Sequence, residues 1–152
     1  MAAAVTPLKS FALAAALSLA VPPAVLAHSA SATMDPAGNT PTFTGLARVT
    51  CFDDGSGPPA LLYAHVRDNS PPVNGLLVNL QILKGTQALS ITDPVSGDAN
   101  YSDALQLQGG AGVYTLILNK TATGARSFDI EYHCLTAAGD HTGTDIIVDQ
   151  FK

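Results

Sequence analysis

Apolar and polar residues alternate along several short stretches of the chain. In the segment SFDIEYHC, every second residue from Phe128 to Cys134 is apolar, and the residues between them are polar or charged. Successive side chains of a β-strand point to opposite faces of a sheet, so this pattern predicts a strand with one face in a core and one in water. Residues 78–82 alternate in the same way.

Turn-forming residues divide the chain into eight such segments, each bounded by Gly, Pro, Asn or Asp. The predicted strands lie at 42–52, 60–68, 76–84, 87–92, 103–108, 113–121, 126–136 and 144–151. No stretch of ten residues after position 28 repeats apolar residues at helical spacing without Gly or Pro. Many short strands without helices indicate an all-β fold, an antiparallel β-sandwich or small barrel.

The first 27 residues have the layout of a secretory signal peptide. Lys9 supplies a positive charge, residues 10–20 form an apolar stretch, and two prolines precede small residues. Cleavage after Ala27 makes His28 the first residue of the exported chain, although cleavage after Ala32 satisfies the same rule. A membrane anchor needs about 20 uninterrupted apolar residues, and the prolines interrupt this stretch. We therefore predict a periplasmic or extracellular protein.

Composition places a short arm and one domain after the signal peptide. Residues 28–41 are small, polar and marked by Pro and Gly, which predicts a flexible arm ahead of a single domain at 42–152. Loss of Lys9 leaves six Lys and Arg against twelve Asp and Glu, so the formal net charge moves from −5 to −6. An acidic surface repels phosphates and anionic lipids, so we expect no nucleic-acid partner and no membrane insertion after cleavage. A protein or glycan partner is compatible with this charge.

Two cysteines, Cys51 and Cys134, are present in this exported chain. Exported proteins mature in oxidising compartments, so we predict a disulfide bond between them. Closing a loop of about 84 residues stabilises the folded state by about 4.6 kcal/mol in the chain-entropy model. The alternative, a cysteine-centred metal site, is disfavoured because no Cys-x-x-Cys pair occurs.

The motif Tyr132-His133-Cys134 resembles the Tyr-x-Cys of an immunoglobulin-type strand, with Cys51 in the place of its partner cysteine. In that family the two cysteines join the sheets across the core. This chain departs from the family because it lacks Trp and because its cysteines are farther apart. The segment GVYTLILNKTATGARSFDIEYHC is also similar to paired strands of exported bacterial immunoglobulin-like domains. The resemblance implies an immunoglobulin-like sandwich of seven to eight strands and export, without a particular chemistry.

A histidine at the start of an exported chain is a candidate copper ligand. The amine and the imidazole of His28 are both nitrogen donors that suit tetragonal Cu(II), and His133 or His141 would supply a further imidazole. In this respect the chain is similar to lytic polysaccharide monooxygenases and periplasmic copper carriers, whose mature chains begin with His. The alternative is that His28 lies in a flexible arm and is not held for binding.

The loop TDPVSGDANYSD is a candidate calcium site. Asp93, Asp98, Asn100 and Asp103 carry oxygen ligands at short spacing, with Gly97 available for a sharp turn. The spacing differs from that of an EF-hand loop. Asp and Asn also favour turns for purely conformational reasons, so a structural role is the alternative.

No enzyme motif occurs in the chain. The Gly-x-Ser-x-Gly, phosphate-loop and His-Glu-x-x-His patterns are absent from the sequence. We therefore predict a non-catalytic module for binding, adhesion or envelope structure, with no cofactor. A partner would add a strand to segment 144–151 if that segment is an edge. The alternative function is copper binding through His28, and calcium is the other candidate ligand. A third class of function is a small hydrolase, whose site would be assembled across loops and is invisible in the sequence.

Overall fold

The computed structural model of the protein describes residues 28–152, which form nine β-strands and no helix. The predicted signal peptide lies outside the described residues. No helix in that range has the length and apolarity that a membrane crossing requires. The strands are β1 (Ser29–Met34), β2 (Gly45–Phe52), β3 (Pro59–Asp68), β4 (Val78–Lys84), β5 (Gln87–Thr92), β6 (Leu105–Leu107), β7 (Gly112–Lys120), β8 (Arg126–Thr136) and β9 (His141–Phe151).

Each of the eight predicted segments contains one strand, and the ninth strand was not predicted. The segment 28–41, assigned to a flexible arm, contains β1, which pairs antiparallel with β8 from Ser29↔Glu131 to Met34↔Arg126. The sequence SASATM gives little strand signal because its side chains are small. Its backbone nevertheless completes the hydrogen bonds of one side of β8, and that pairing overrides the local preference.

All strand pairs are antiparallel, in the order β5-β4-β7-β2-β9-β8-β3-β6, with β1 also paired to β8. The all-β prediction is therefore confirmed. The sheet curls into a nearly closed, barrel-like structure. Strand β9 joins its two halves, because its first residues pair with β8 and the remainder pairs with β2.

Two strands share one side of β8. Along that side, β1 pairs with residues 126–131, and β9 pairs only with Cys134 and Leu135. The change of partner occurs around His133, and we call this position the fork. Because β1 and β9 both run antiparallel to β8, they begin next to each other at the fork.

Beyond the fork, β9 separates from β8 and follows β2 from Phe52↔Gly143 to Gly45↔Phe151. Strand β1 stays on β8, so a cleft opens between β1 and β9. Within the described residues, β1 pairs only with β8, and β9 beyond Thr142 pairs only with β2. The predicted edge strand is thus unpaired on one side alone, the side that faces this β1–β9 cleft.

The predicted disulfide bond is confirmed, and it lies in the core. Cys51 of β2 and Cys134 of β8 are bonded, with their Cα atoms 5.5 Å apart and both residues buried. Apolar side chains from both halves of the sheet surround the bond. The fully buried ones are Met34, Val49, Leu62, Ala64, Val66, Val78, Leu80, Ile82, Tyr114 and Leu116.

Two buried ion pairs attach loops to this core. The Lys120 ammonium lies 2.9 Å from a carboxylate oxygen of Asp35, and the Arg126 guanidinium lies 3.3 Å from one of Asp68. Burial by itself raises the pKa of Asp35. Hydrogen bonds from Lys120 and from the backbone N–H groups of Asn39 and Thr40 outweigh burial and lower that pKa to about 2.

Candidate functional site

Three of the four histidines come together where β1, β8 and β9 meet. The imidazole centroids of His133 and His141 are 4.3 Å apart, and those of His28 and His133 are 6.4 Å apart. We call these three residues the histidine cluster. All three are candidate copper ligands from the sequence. No local sequence pattern indicates that they lie close together.

The fork explains this convergence. His28 directly precedes β1, His141 is the first residue of β9, and His133 lies on β8 where the two strands begin. The carbonyl oxygen of His28 accepts a hydrogen bond of 3.0 Å from the backbone N–H of Tyr132. His28 is therefore held against β8 by strand pairing, and the predicted flexible position for it is replaced by an ordered one.

The histidine cluster contains polar atoms that have no hydrogen-bond partner among the described residues. Within residues 28–152, the Nδ1 atoms of His28 and His133 are buried without a hydrogen-bond partner. His133 is only 7% exposed. Burial lowers its pKa, and the neighbouring imidazole of His141 lowers it further, to about 4. The ring of His133 is consequently neutral near pH 7 and can act as an acceptor or a metal ligand.

The fourth histidine belongs to a separate network. The Nε2 atom of His65 lies 3.0 Å from a carboxylate oxygen of Glu131, and its ring stacks on Tyr101 at 4.0 Å. The hydroxyl of Tyr101 donates to the second oxygen of Glu131 at 3.0 Å. Burial, followed by the hydrogen bond to Glu131, raises the pKa of Tyr101 to about 12. Each carboxylate oxygen of Glu131 thus has a hydrogen-bond partner outside the histidine cluster.

A neighbouring ion pair extends this network along β3 and β8. The guanidinium of Arg67 bonds Asp129 at 2.6 Å and lies 4.7 Å from the ring centroid of Tyr101. The sequence analysis predicted that this polar face of β8 is solvated. In the structure Tyr101 lies over part of this face, and Ser31 of the neighbouring strand β1 donates to Asp129, so its charged groups have partners within the protein.

Side chains of the candidate calcium loop accept hydrogen bonds from the loop itself and from the end of β3. Asp93 is buried, and its carboxylate accepts the N–H groups of Asp68 at 2.8 Å and Val95 at 3.4 Å. Asp98 accepts the backbone N–H and the side-chain amide of Asn100. These contacts are those of turn-stabilising residues. Asp103 is exposed and lies in the same segment.

In residues 28–152, no group of three or more His, Cys, Asp or Glu side chains is already placed to hold a metal ion. The histidine cluster is the group that most resembles a metal site in composition, because it contains three imidazoles. Its two closest rings belong to His133 and His141, and the ring of His28 is farther away.

The β1–β9 cleft is an apolar cavity of about 280 Å³. Its walls include Ala30 and Ala32 of β1 and Ile146 and Val148 of β9, and its floor is formed by apolar residues of β7 and β8. Val148 is 63% exposed, so its side chain is accessible to a partner at the cleft. Sequence analysis did not find this cleft, because no local pattern shows that two distant strands separate.

No protein-family model, no curated protein and no solved structure matches this chain. Two sites of the structure itself, the β1–β9 cleft and the histidine cluster, are therefore the candidates for function.

Proposed function

We propose that this protein is a non-catalytic, exported binding module of the immunoglobulin-like β-sandwich type. Its partner is a protein that inserts an extended apolar segment into the β1–β9 cleft. The observation that carries the proposal is an apolar cavity of about 280 Å³ lying between two strands that each have an unpaired edge.

Strand addition requires two features, and the cleft supplies both. Unpaired backbone donors and acceptors along β9 beyond Thr142 bond the backbone of an incoming strand. Side chains on one face of that strand then occupy the apolar floor, because successive side chains alternate between faces. A partner segment with apolar residues at alternate positions fits this arrangement.

The disulfide bond supports the exported part of the proposal. Such bonds persist in oxidising compartments, and Cys51–Cys134 is buried in the core of this domain. A periplasmic or extracellular site of action agrees with the predicted signal peptide. Copper binding, the alternative function, depends on the histidine cluster.

The test uses a nine-residue peptide with Val at alternate positions and Thr or Lys between them. Its binding is followed by chemical-shift changes of backbone amides. We expect changes along β1 and β9, and we expect Val148→Asp to weaken binding about tenfold or more, equivalent to about 1.4 kcal/mol. The matched control is Val113→Asp, because Val113 is 48% exposed on β7 and lies outside the cleft.

Val113→Asp is expected to leave the affinity for the peptide unchanged. Equal loss of binding in both variants, or shift changes confined to other strands, refutes strand addition in the cleft. A peptide with the same composition and shuffled order separates strand register from general apolar attraction, and it is expected to bind more weakly.

A further inference from the structure

We propose that the histidine cluster is a copper site, in which the imidazoles of His28, His133 and His141 bind one Cu(II) ion. The α-amine of His28 is the fourth donor when that residue begins the chain. This site lies at the closed end of the β1–β9 cleft and is independent of the function proposed for the cleft.

The spacing of the rings supports a shared ion. With metal–nitrogen bonds of about 2.0 Å, two imidazoles at right angles on one ion have centroids roughly 4.4 Å apart. The centroids of His133 and His141 are 4.3 Å apart. The 6.4 Å between His28 and His133 exceeds this spacing by about 2 Å. The proposed site therefore requires the His28 side chain to rotate towards the other two rings, since no three-ligand set is preformed within 28–152.

The unsatisfied ring nitrogens are a second, independent observation. His133 is more than nine-tenths buried, and its Nδ1 has no partner in the described residues. A buried ring nitrogen without a partner destabilises the folded state, and a bound metal ion removes that cost. The Nδ1 of His28 is in the same condition. That nitrogen also closes a six-membered chelate ring with the amine of the same residue, so one ligand side chain supplies two donors.

The donor set selects the metal. Imidazole and amine nitrogens suit Cu(II), which binds nitrogen donors more tightly than Ni(II) or Zn(II) in most sites. Thiolate ligands are excluded because Cys51 and Cys134 are bonded to each other. The nearest carboxylate on the same strand face, Glu131, is held by His65 and Tyr101. An all-nitrogen site therefore favours copper over the hard cations, which prefer oxygen ligands.

The test is a titration of the protein that begins at His28 with copper sulfate against a competing chelator, with electron paramagnetic resonance of the loaded sample. We expect one equivalent of Cu(II) and hyperfine splitting from several nitrogens. His28→Ala and His141→Ala are each expected to weaken binding about tenfold or more. The matched control is His65→Gln, which removes the histidine outside the cluster and is expected to leave the affinity unchanged.

His133 is left intact in this series because its burial makes a substitution ambiguous. Both substituted cluster residues are partly exposed, and far-UV circular dichroism establishes that the variants fold. Copper binding as tight in His28→Ala and His141→Ala as in the unsubstituted protein overturns the site. Failure of Cu(II) to displace bound Zn(II) overturns the assignment to copper.

A second protein that keeps Ala27 before His28 tests the amine. It is expected to bind Cu(II) more weakly and to lose one nitrogen from the resonance spectrum. An unchanged spectrum removes the amine from the donor set. The Val148→Asp variant is expected to bind copper normally, so failure of the cleft proposal and failure of the copper proposal give different results.

Discussion

The carbonyl oxygen of His28 accepts a hydrogen bond from the backbone N–H of Tyr132, with an N···O distance of 3.0 Å. Two residues farther along β8, Cys134 pairs with β9 instead. Only His133 separates the two partners of β8. This single change of pairing produces both candidate sites, because it gathers the histidine cluster at the fork and opens the β1–β9 cleft beyond it.

Removal of the disulfide bond is expected to destabilise the protein strongly. Cys51 and Cys134 are 83 positions apart in sequence, so the bond restricts a large part of the unfolded chain. We expect the Cys51→Ala, Cys134→Ala double variant to lose about 4 kcal/mol of the free energy of unfolding. Urea denaturation followed by circular dichroism measures the change. A loss below about 1 kcal/mol would show that the core holds the two halves without the bond.

The buried Asp68–Arg126 pair is expected to be far more important for stability than an exposed pair. Asp68 is fully buried and also accepts the backbone N–H of Ser70 at 2.9 Å. Asp68→Asn leaves the buried guanidinium of Arg126 without its counter-charge, so we expect a loss of about 3–5 kcal/mol. The control, Asp149→Asn, breaks the exposed pair with Arg48 and is expected to change stability little. Similar losses in denaturation experiments on both variants would contradict this view.

Asp35 is expected to make the protein sensitive to strong acid. Its pKa is about 2 in the folded protein, below the usual value near 3.9, so the folded state favours the ionised form. The stabilisation is complete above about pH 4 and is lost as the pH falls through about 2, where the folded state also takes up the proton.

The measurement for this prediction is the thermal midpoint at pH 6, 3 and 2 for the unsubstituted protein and for Asp35→Asn. The variant is expected to be less stable at pH 6, because Lys120 loses its charged partner. Its midpoint is also expected to fall less between pH 6 and 2. An identical fall in both proteins would assign the acid sensitivity to other carboxylates.

The positions of eight strands were predictable because their signal is local. The alternation from Phe128 to Cys134 and the turn residues around each segment act within a few positions. Strand β1 was missed because the residues that alternate between Ser29 and Met34 are mostly small, so they give a weak strand signal. Its strand conformation comes from hydrogen bonds to β8, almost a hundred residues away, and these have no signature in the segment itself.

The candidate metal ligands also divide into what the sequence shows and what only the fold shows. His28, His133 and His141 were named from the chemistry of imidazole, which the sequence displays directly. Their meeting depends on which strands pair with β8, and pairing of distant strands follows from burial and backbone hydrogen bonding across the whole sheet. The carboxylates of the candidate calcium loop could also be identified from the sequence. Only the fold shows that the carboxylate of Asp93 accepts the backbone N–H of Asp68.

The sequence by itself determined the all-β class, the places of most strands and the pairing of the only two cysteines, because alternation, turn residues and cysteine count are local or compositional properties. The tertiary structure alone decided that β9 passes from β8 to β2, that β1 takes its place on β8, and that a cleft and a histidine cluster result. The physical reason is that the backbone N–H and C=O groups of a sheet edge are the same whatever the side chains are. The packing of the whole core therefore decides which strands pair.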